Sequence, residues 1–196
     1  PTGSEPASIP ADNLVSPYLT HILMPKIYNG AQTRNPFQIT LTQEGINDII
    51  VRQKWPAETR GLTFYAPKLY ITESALVIMG RFNTDLNLEF AYTAVISVEF
   101  GKAGAALNLE SFRLGYVNIT PVAKAILKRS YEHFLAKNGK PIPVILQKIV
   151  SSLIDSEPFD PAFEIKGNNF RLSGFSPDKG GLKVSFEPIE SNLAEI

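Results

Sequence analysis

Between Asp85 and Phe100 every even-numbered side chain is apolar: Leu86, Leu88, Phe90, Tyr92, Ala94, Ile96, Val98 and Phe100. Most odd positions in the same run (Asn87, Glu89, Thr93, Ser97, Glu99) are polar, with Ala91 and Val95 as the exceptions. Strand side chains point to opposite faces in turn, so this run reads as one long strand with an oily face and a wet one. Ordinary strands run roughly five or six residues. A run this long is expected to belong to a curved antiparallel sheet with its apolar side inward.

The remainder of the chain supplies partners for such a strand. Leu62 to Glu73 and Leu76 to Phe82 are rich in β-formers, and Asn83-Thr84-Asp85 provides a turn into the long strand. After Gly101 to Gly104 the chain returns as Ala105 to Ile119. Its apolar positions begin odd (Leu107, Leu109) and end even (Phe112, Leu114, Tyr116). A β-bulge near Glu110 and Ser111 accounts for the slip, since one extra residue restores the inward face. The outcome is a four-strand meander with short connections.

Helical signals flank it. Phe37 to Leu41 alternates as a strand and leads into Thr40 and Thr42, either able to cap a helix, and Thr40 with Gln43 fits a capping box. That helix is expected to run to about Lys54, burying Ile46, Ile49 and Ile50, with Asp48 and Arg52 paired outside and Pro56 ending it. In Leu14 to Tyr28, Pro17 and Pro25 confine any helix to the piece between them, and Asn29-Gly30 marks a turn. Thr120-Pro121 opens a further helix, a capping hydroxyl followed by a proline at the first helical position. Its stripe is Ala123, Ile126, Leu127, Ser130, Tyr131 and Phe134, and Asn138-Gly139 closes it. Pro143 to Asp155 forms another amphipathic helix. Phe163 to Lys166, Phe170 to Phe175 and Leu182 to Glu187 then make a closing hairpin. The fold class is therefore α+β: a long curved antiparallel β-meander wrapped around an amphipathic helix, with a C-terminal hairpin.

Of 196 residues, 44% are hydrophobic, enough for one core, and the domain is placed at 14–188. Pro1 to Asn13, rich in Pro, Ser and Ala, reads as a tether, and 189–196 as a frayed tail. With neither an initiating Met nor a signal-like segment at the front, the tether is expected to have followed a membrane anchor or signal. Nineteen basic residues balance nineteen acidic ones, which argues against nucleic acid as a partner, because phosphate calls for a basic excess. Cysteine is absent, removing disulfides, thiol catalysis and zinc-thiolate sites.

Catalytic patterns are lacking. His21 and His133 stand apart, outside any metal-binding spacing, and no nucleophile elbow, phosphate-cradling loop or dinucleotide fingerprint occurs. The acidic group Asp155, Glu157 and Asp160 is interleaved with Pro158 and Pro161, without the regular ligand ladder of a calcium loop, and reads as a solvated, rigid connection. Asn118-Ile-Thr120 matches a glycosylation sequon, with Thr120 already assigned to capping. The reading is of a protein that is not an enzyme and needs no cofactor. What stands out is reach. The sixteen residues from 85 to 100 extend about 50 Å as a strand, whereas the seventeen from 121 to 137 extend about 25 Å as a helix. The uncovered oily length needs another helix, a protein partner or an apolar ligand.

Three stretches carry a resemblance: Phe37 to Ile50 (FQITLTQEGINDII), the meander from Leu69 to Tyr116, and the helix opening Val117-Asn-Ile-Thr-Pro121. In their order the chain resembles the tubular lipid-binding (TULIP) superfamily, and more narrowly its small bacterial membrane-anchored or lipoprotein members, whose domains resemble half of a bactericidal/permeability-increasing protein. The resemblance implies a curved sheet about a helix enclosing a hydrophobic groove, an extracytoplasmic location, and binding or transfer of lipid without catalysis. A cystatin-like or nuclear-transport-factor-like domain and a START-like helix-grip fold are the other topologies with long strands around a helix. On the lipid-binding reading, Phe90, Tyr92, Ile96 and Val98 face Ile126, Leu127, Tyr131 and Phe134 across an acyl chain. The alternative is an adaptor that docks on an envelope protein partner.

Overall fold

The computed structural model describes residues 15–59, 61–101, 104–138, 144–178 and 180–189, without the side chains of 130, 133–138 and 178. The expected tether at 1–13, residues 190–196 of the expected tail, Gly139, Pro141, Ile142 and the side chains of His133 and Phe134 lie outside the described residues.

The chain enters through a π-helical turn, Tyr18–Leu23, that runs without a break into α1, Met24–Gln32. The helix therefore passes Pro25 and the Asn29-Gly30 pair, where a stop and a turn were expected. The wider π turn explains the passage: Met24 N–H already reaches back five residues to the Leu19 carbonyl, and Pro25, which has no N–H to offer, falls at the start of the new helix. Gly30 is needed for packing instead of turning, because a Cβ there would lie 2.4 Å from the Phe37 ring.

β1 (Phe37–Thr42) leads directly into α2 (Gln43–Val51). Thr42, not Thr40, caps α2, its hydroxyl oxygen accepting the Gly45 N–H at 3.1 Å. Asp48 and Arg52 pair at 2.7 Å as expected, and α2 ends short of Lys54. Six strands then follow from Ala57 to Leu114: β2 (Ala57–Thr59), β3 (Leu62–Phe64), β4 (Lys68–Ile71), β5 (Leu76–Thr84), β6 (Glu89–Gly101) and β7 (Gly104–Leu114). The expected strand from Leu62 to Glu73 divides at Pro67. Its halves, β3 and β4, pair with successive parts of β5.

After the short β8 (Val117–Asn118) come α3 (Thr120–Asn138) and α4 (Val144–Asp155), then β9 (Ala162–Ile165), β10 (Asn168–Asp178) and β11 (Gly181–Pro188). All strand pairings among the described residues are antiparallel. They make a seven-stranded meander in the order β2-β3-β5-β6-β7-β8, with β4 also on β5, and a four-stranded sheet in the order β1-β11-β10-β9. The closing hairpin thus builds its own sheet with β1 at its side. The best-sealed core lies here, beneath α1: Ala31, Ile39, Ile165, Phe170, Leu182, Val184 and Phe186 are buried together, and Phe37 stacks on Phe186 at 4.8 Å.

Two features of the long strand depart from or refine its pattern. It begins at Glu89, because Thr84 to Leu88 forms a turn in which Asn87 N–H donates to the Thr84 carbonyl at 2.8 Å and Asn87 takes φ 57°. Leu86 and Leu88 are consequently left on the hairpin tip, 80% and 54% exposed. On β7 the bulge falls where the parity slipped. Val95 opposes Ser111 and Ile96 opposes Leu109, so Glu110 is the extra residue.

Candidate functional site

Alternation and register together assemble one face of the meander. Tyr92 lies opposite Gly80 on β5 and Leu114 on β7, Ala94 opposite Ile78 and Phe112, and Phe82 opposite both Phe90 and Phe64. The even residues of β6 therefore share a face with the even residues of β5 and the apolar residues of β7. Five rings form a contiguous cluster at the end of this face nearest the β5–β6 turn. Phe82 stacks on Phe90 at 5.4 Å, Tyr92 on Phe112 at 5.7 Å with planes 8° apart, and Phe64 touches Phe82 at 5.2 Å and Tyr92 at 6.4 Å. Offset and edge contacts of this kind hold rings in fixed positions and add about 0.5–1.5 kcal/mol per pair beyond burial.

Along this face burial changes. Leu69, Ala94 and Leu109, at its middle, are buried. The aromatic end is half-buried, and Phe90 is 37% exposed. Gly80 permits the arrangement at its centre. A Cβ there would lie 2.5 Å from the Tyr92 hydroxyl oxygen and 2.6–2.8 Å from ring carbons, so the tyrosine lies flat across β5 only because that position carries no side chain. Burial pushes the Tyr92 hydroxyl above its ordinary pKa.

The helices attend chiefly to the edges of the sheet. On the β4 side, Asn47 of α2 imitates a strand: Leu69 N–H donates to Asn47 Oδ1 at 2.7 Å, and Asn47 Nδ2 donates to the Leu69 carbonyl at 2.8 Å. Gln43 Oε1 accepts the Ile71 N–H beside it at 2.9 Å. On the β7 side, Ser152 of α4, fully buried, accepts the Leu107 N–H at 2.7 Å, and Thr120 of α3 accepts the Phe112 N–H at 2.8 Å. Thr120 thus serves the sheet instead of capping its helix. Asn118 Oδ1 accepts both its N–H and its hydroxyl proton. Phe159 completes this edge by exchanging two backbone hydrogen bonds with Ala105. Backbone groups at a sheet edge need partners, and side chains from helices supply them here.

Of the residues singled out from sequence, Phe90, Tyr92, Ile96 and Val98 therefore share one face of β6. Ile126, Leu127 and Tyr131 sit on α3, which packs mainly on β7 and α4, and Ile126 is 58% exposed. Tyr131 lines a cleft of about 580 Å³ with Val144, Lys148, Ser151 and Phe159 of α4 and the following loop. A second cleft, of about 420 Å³, lies where the ends of β6 and β7 meet β10, at Phe100, Gly104, Arg171 and Ser173. Arg171 there grips Asp160 through two bonds of 2.7 and 2.9 Å, holding that carboxyl below the ordinary range. Neither cleft includes the aromatic wall. Phe64, Phe82 and Phe112 join the wall although sequence reasoning placed them only within strands. The signal was their register with Phe90 and Tyr92, which requires knowing the turn at Thr84 and the bulge at Glu110.

Among the described residues no group of three or more His, Asp or Glu side chains is placed to hold a metal ion, and no helix is long and apolar enough to cross a membrane. Scanned against protein-family models the chain finds no match, and a search of curated proteins finds no relative.

Proposed function

We propose that this protein holds an elongated apolar ligand, an acyl chain or a molecule of similar shape, against the aromatic end of the meander, and performs no reaction on it. One observation carries the reading: Phe64, Phe82, Phe90, Tyr92 and Phe112 form a continuous, pre-assembled apolar wall that is only half-buried while the helices are engaged at the sheet edges. Rigid aromatic walls of this kind suit ligand recognition, because little side-chain entropy remains to be lost on binding. Ile96 and Val98 continue the same face, and α3, which carries Ile126, Leu127 and Tyr131, packs on β7 beside it. The wall offers a ligand no nucleophile and no carboxylate, which favours binding over catalysis. Likeness to the TULIP superfamily and placement in the cell envelope, with membrane contact through a preceding anchor, belong to the same proposal.

Native mass spectrometry of the purified protein, with titration of a fluorescent fatty acid, tests the reading. Co-purified lipid or saturable binding that weakens at least tenfold in Phe82→Ala with Phe90→Ala supports it. A ligand-free mass together with no binding overturns it. A second reading, an adaptor docking on an envelope protein, rests on the exposed apolar tip at Leu86 and Leu88. Capture of a partner that is lost in Leu86→Asp, without fatty-acid binding by the parent protein, would favour it.

A further inference from the structure

Among the five rings of the wall Tyr92 alone carries a polar group. Its neighbours on that face are Phe90, Ala94, Phe82, Phe112, Leu114 and the bare Gly80, and the hydroxyl has no hydrogen-bond partner among the described residues. The ring is pinned by its stack on Phe112 and by its seat over Gly80, so the hydroxyl has a fixed place beside β5. While the wall is wet, water can take the proton. Once an apolar body covers the wall, water is displaced and the donor is stranded unless the ligand itself brings an acceptor.

Resting on the reading above, we infer that the ligand is amphiphilic, an acyl chain bearing a carbonyl or carboxylate oxygen, and that the Tyr92 hydroxyl donates to that oxygen and so sets the chain's position along the wall. Phe90, Phe82 and Phe64 then contact the chain on the hairpin-tip side, and Ala94 and Ile96 on the other. A plain hydrocarbon of equal length fits the same wall but leaves the hydroxyl unpaired. Tyr92 therefore acts as the residue that distinguishes an acyl compound from an alkane.

The experiment compares methyl palmitate with hexadecane as competitors of the neutral dye N-phenylnaphthylamine on the full chain and on Tyr92→Phe, which keeps the ring and its stacking. The expected result is a preference for the ester of about tenfold in the parent protein, the size set by one stranded donor, falling to near parity in Tyr92→Phe. A parent protein with no preference, or a variant that keeps it, overturns the inference while leaving apolar binding intact. Failure of dye and both competitors to bind overturns the binding reading as well.

Discussion

Asn47 shows how much one side chain can do in this fold. Its amide satisfies both the N–H and the carbonyl of Leu69 at the edge of β4, a pairing that otherwise requires another strand. Asn47→Ala leaves both groups without their partner, and a loss of about 1–3 kcal/mol is expected, read by urea denaturation. Asp48, one residue on, governs an acid response. Its carboxylate accepts the Ser16 hydroxyl and pairs with Arg52, which together hold its pKa below the ordinary value. The folded state therefore binds this proton less readily than the unfolded chain. The resulting stability is complete above about pH 4, the unfolded carboxylate range, and is lost as pH falls through the lower folded value. Asp160, held down by Arg171 and by nearby Lys148, adds in the same direction, with its half-exposed pair weakened by solvent. Denaturation midpoints should decline below about pH 4, and Asp48→Asn should flatten part of that decline. Spacing four apart made the Asp48 and Arg52 pair legible in sequence. Ser16 and Asn47 were not, because their partners lie 32 and 22 residues away.

At the scale of elements, turns and helix ends decided where the expected pattern broke. Leu86 and Leu88 continue the alternation of β6 on paper, yet the Thr84 to Leu88 turn removes both from the sheet. Leu86→Asp is accordingly expected to change stability by less than about 0.5 kcal/mol in thermal denaturation, whereas a strand-core leucine would not tolerate the charge. α1 behaves in the opposite way. Gly30 looks like a turn residue, but it is the contact point at which α1 meets Phe37. Gly30→Leu should lower the melting temperature by several degrees despite raising intrinsic helix propensity, because the new side chain displaces the Phe37 ring from Phe186 and Phe170. A sequence shows glycine's freedom; it does not show what the glycine is touching.

For the whole molecule the division of labour between the sheets is the main consequence. Phe170, completely buried in the four-stranded sheet, is expected to cost about 3–5 kcal/mol on truncation to alanine. Phe82, on the half-open wall, should cost distinctly less in the same denaturation assay while weakening ligand binding more. Equal costs would mean that the wall is core. The antiparallel pairing of the meander, the bulge at Glu110, helices α2, α3 and α4 and the closing hairpin were legible, since alternation, helical period and turn residues are local properties of the chain, whereas α1 was not. The docking of those helices was not. A helix buries its stripe against whatever surface lies within reach, and unpaired strand edges draw in side chains such as Asn47, Thr120 and Ser152 that no periodicity marks. Residue order alone therefore specified an oily strand face and the elements around it. Only the folded chain determined that α2, α3 and α4 engage the edges and that the aromatic end of that face stays half-open, because edge hydrogen bonding is a long-range demand satisfied in three dimensions.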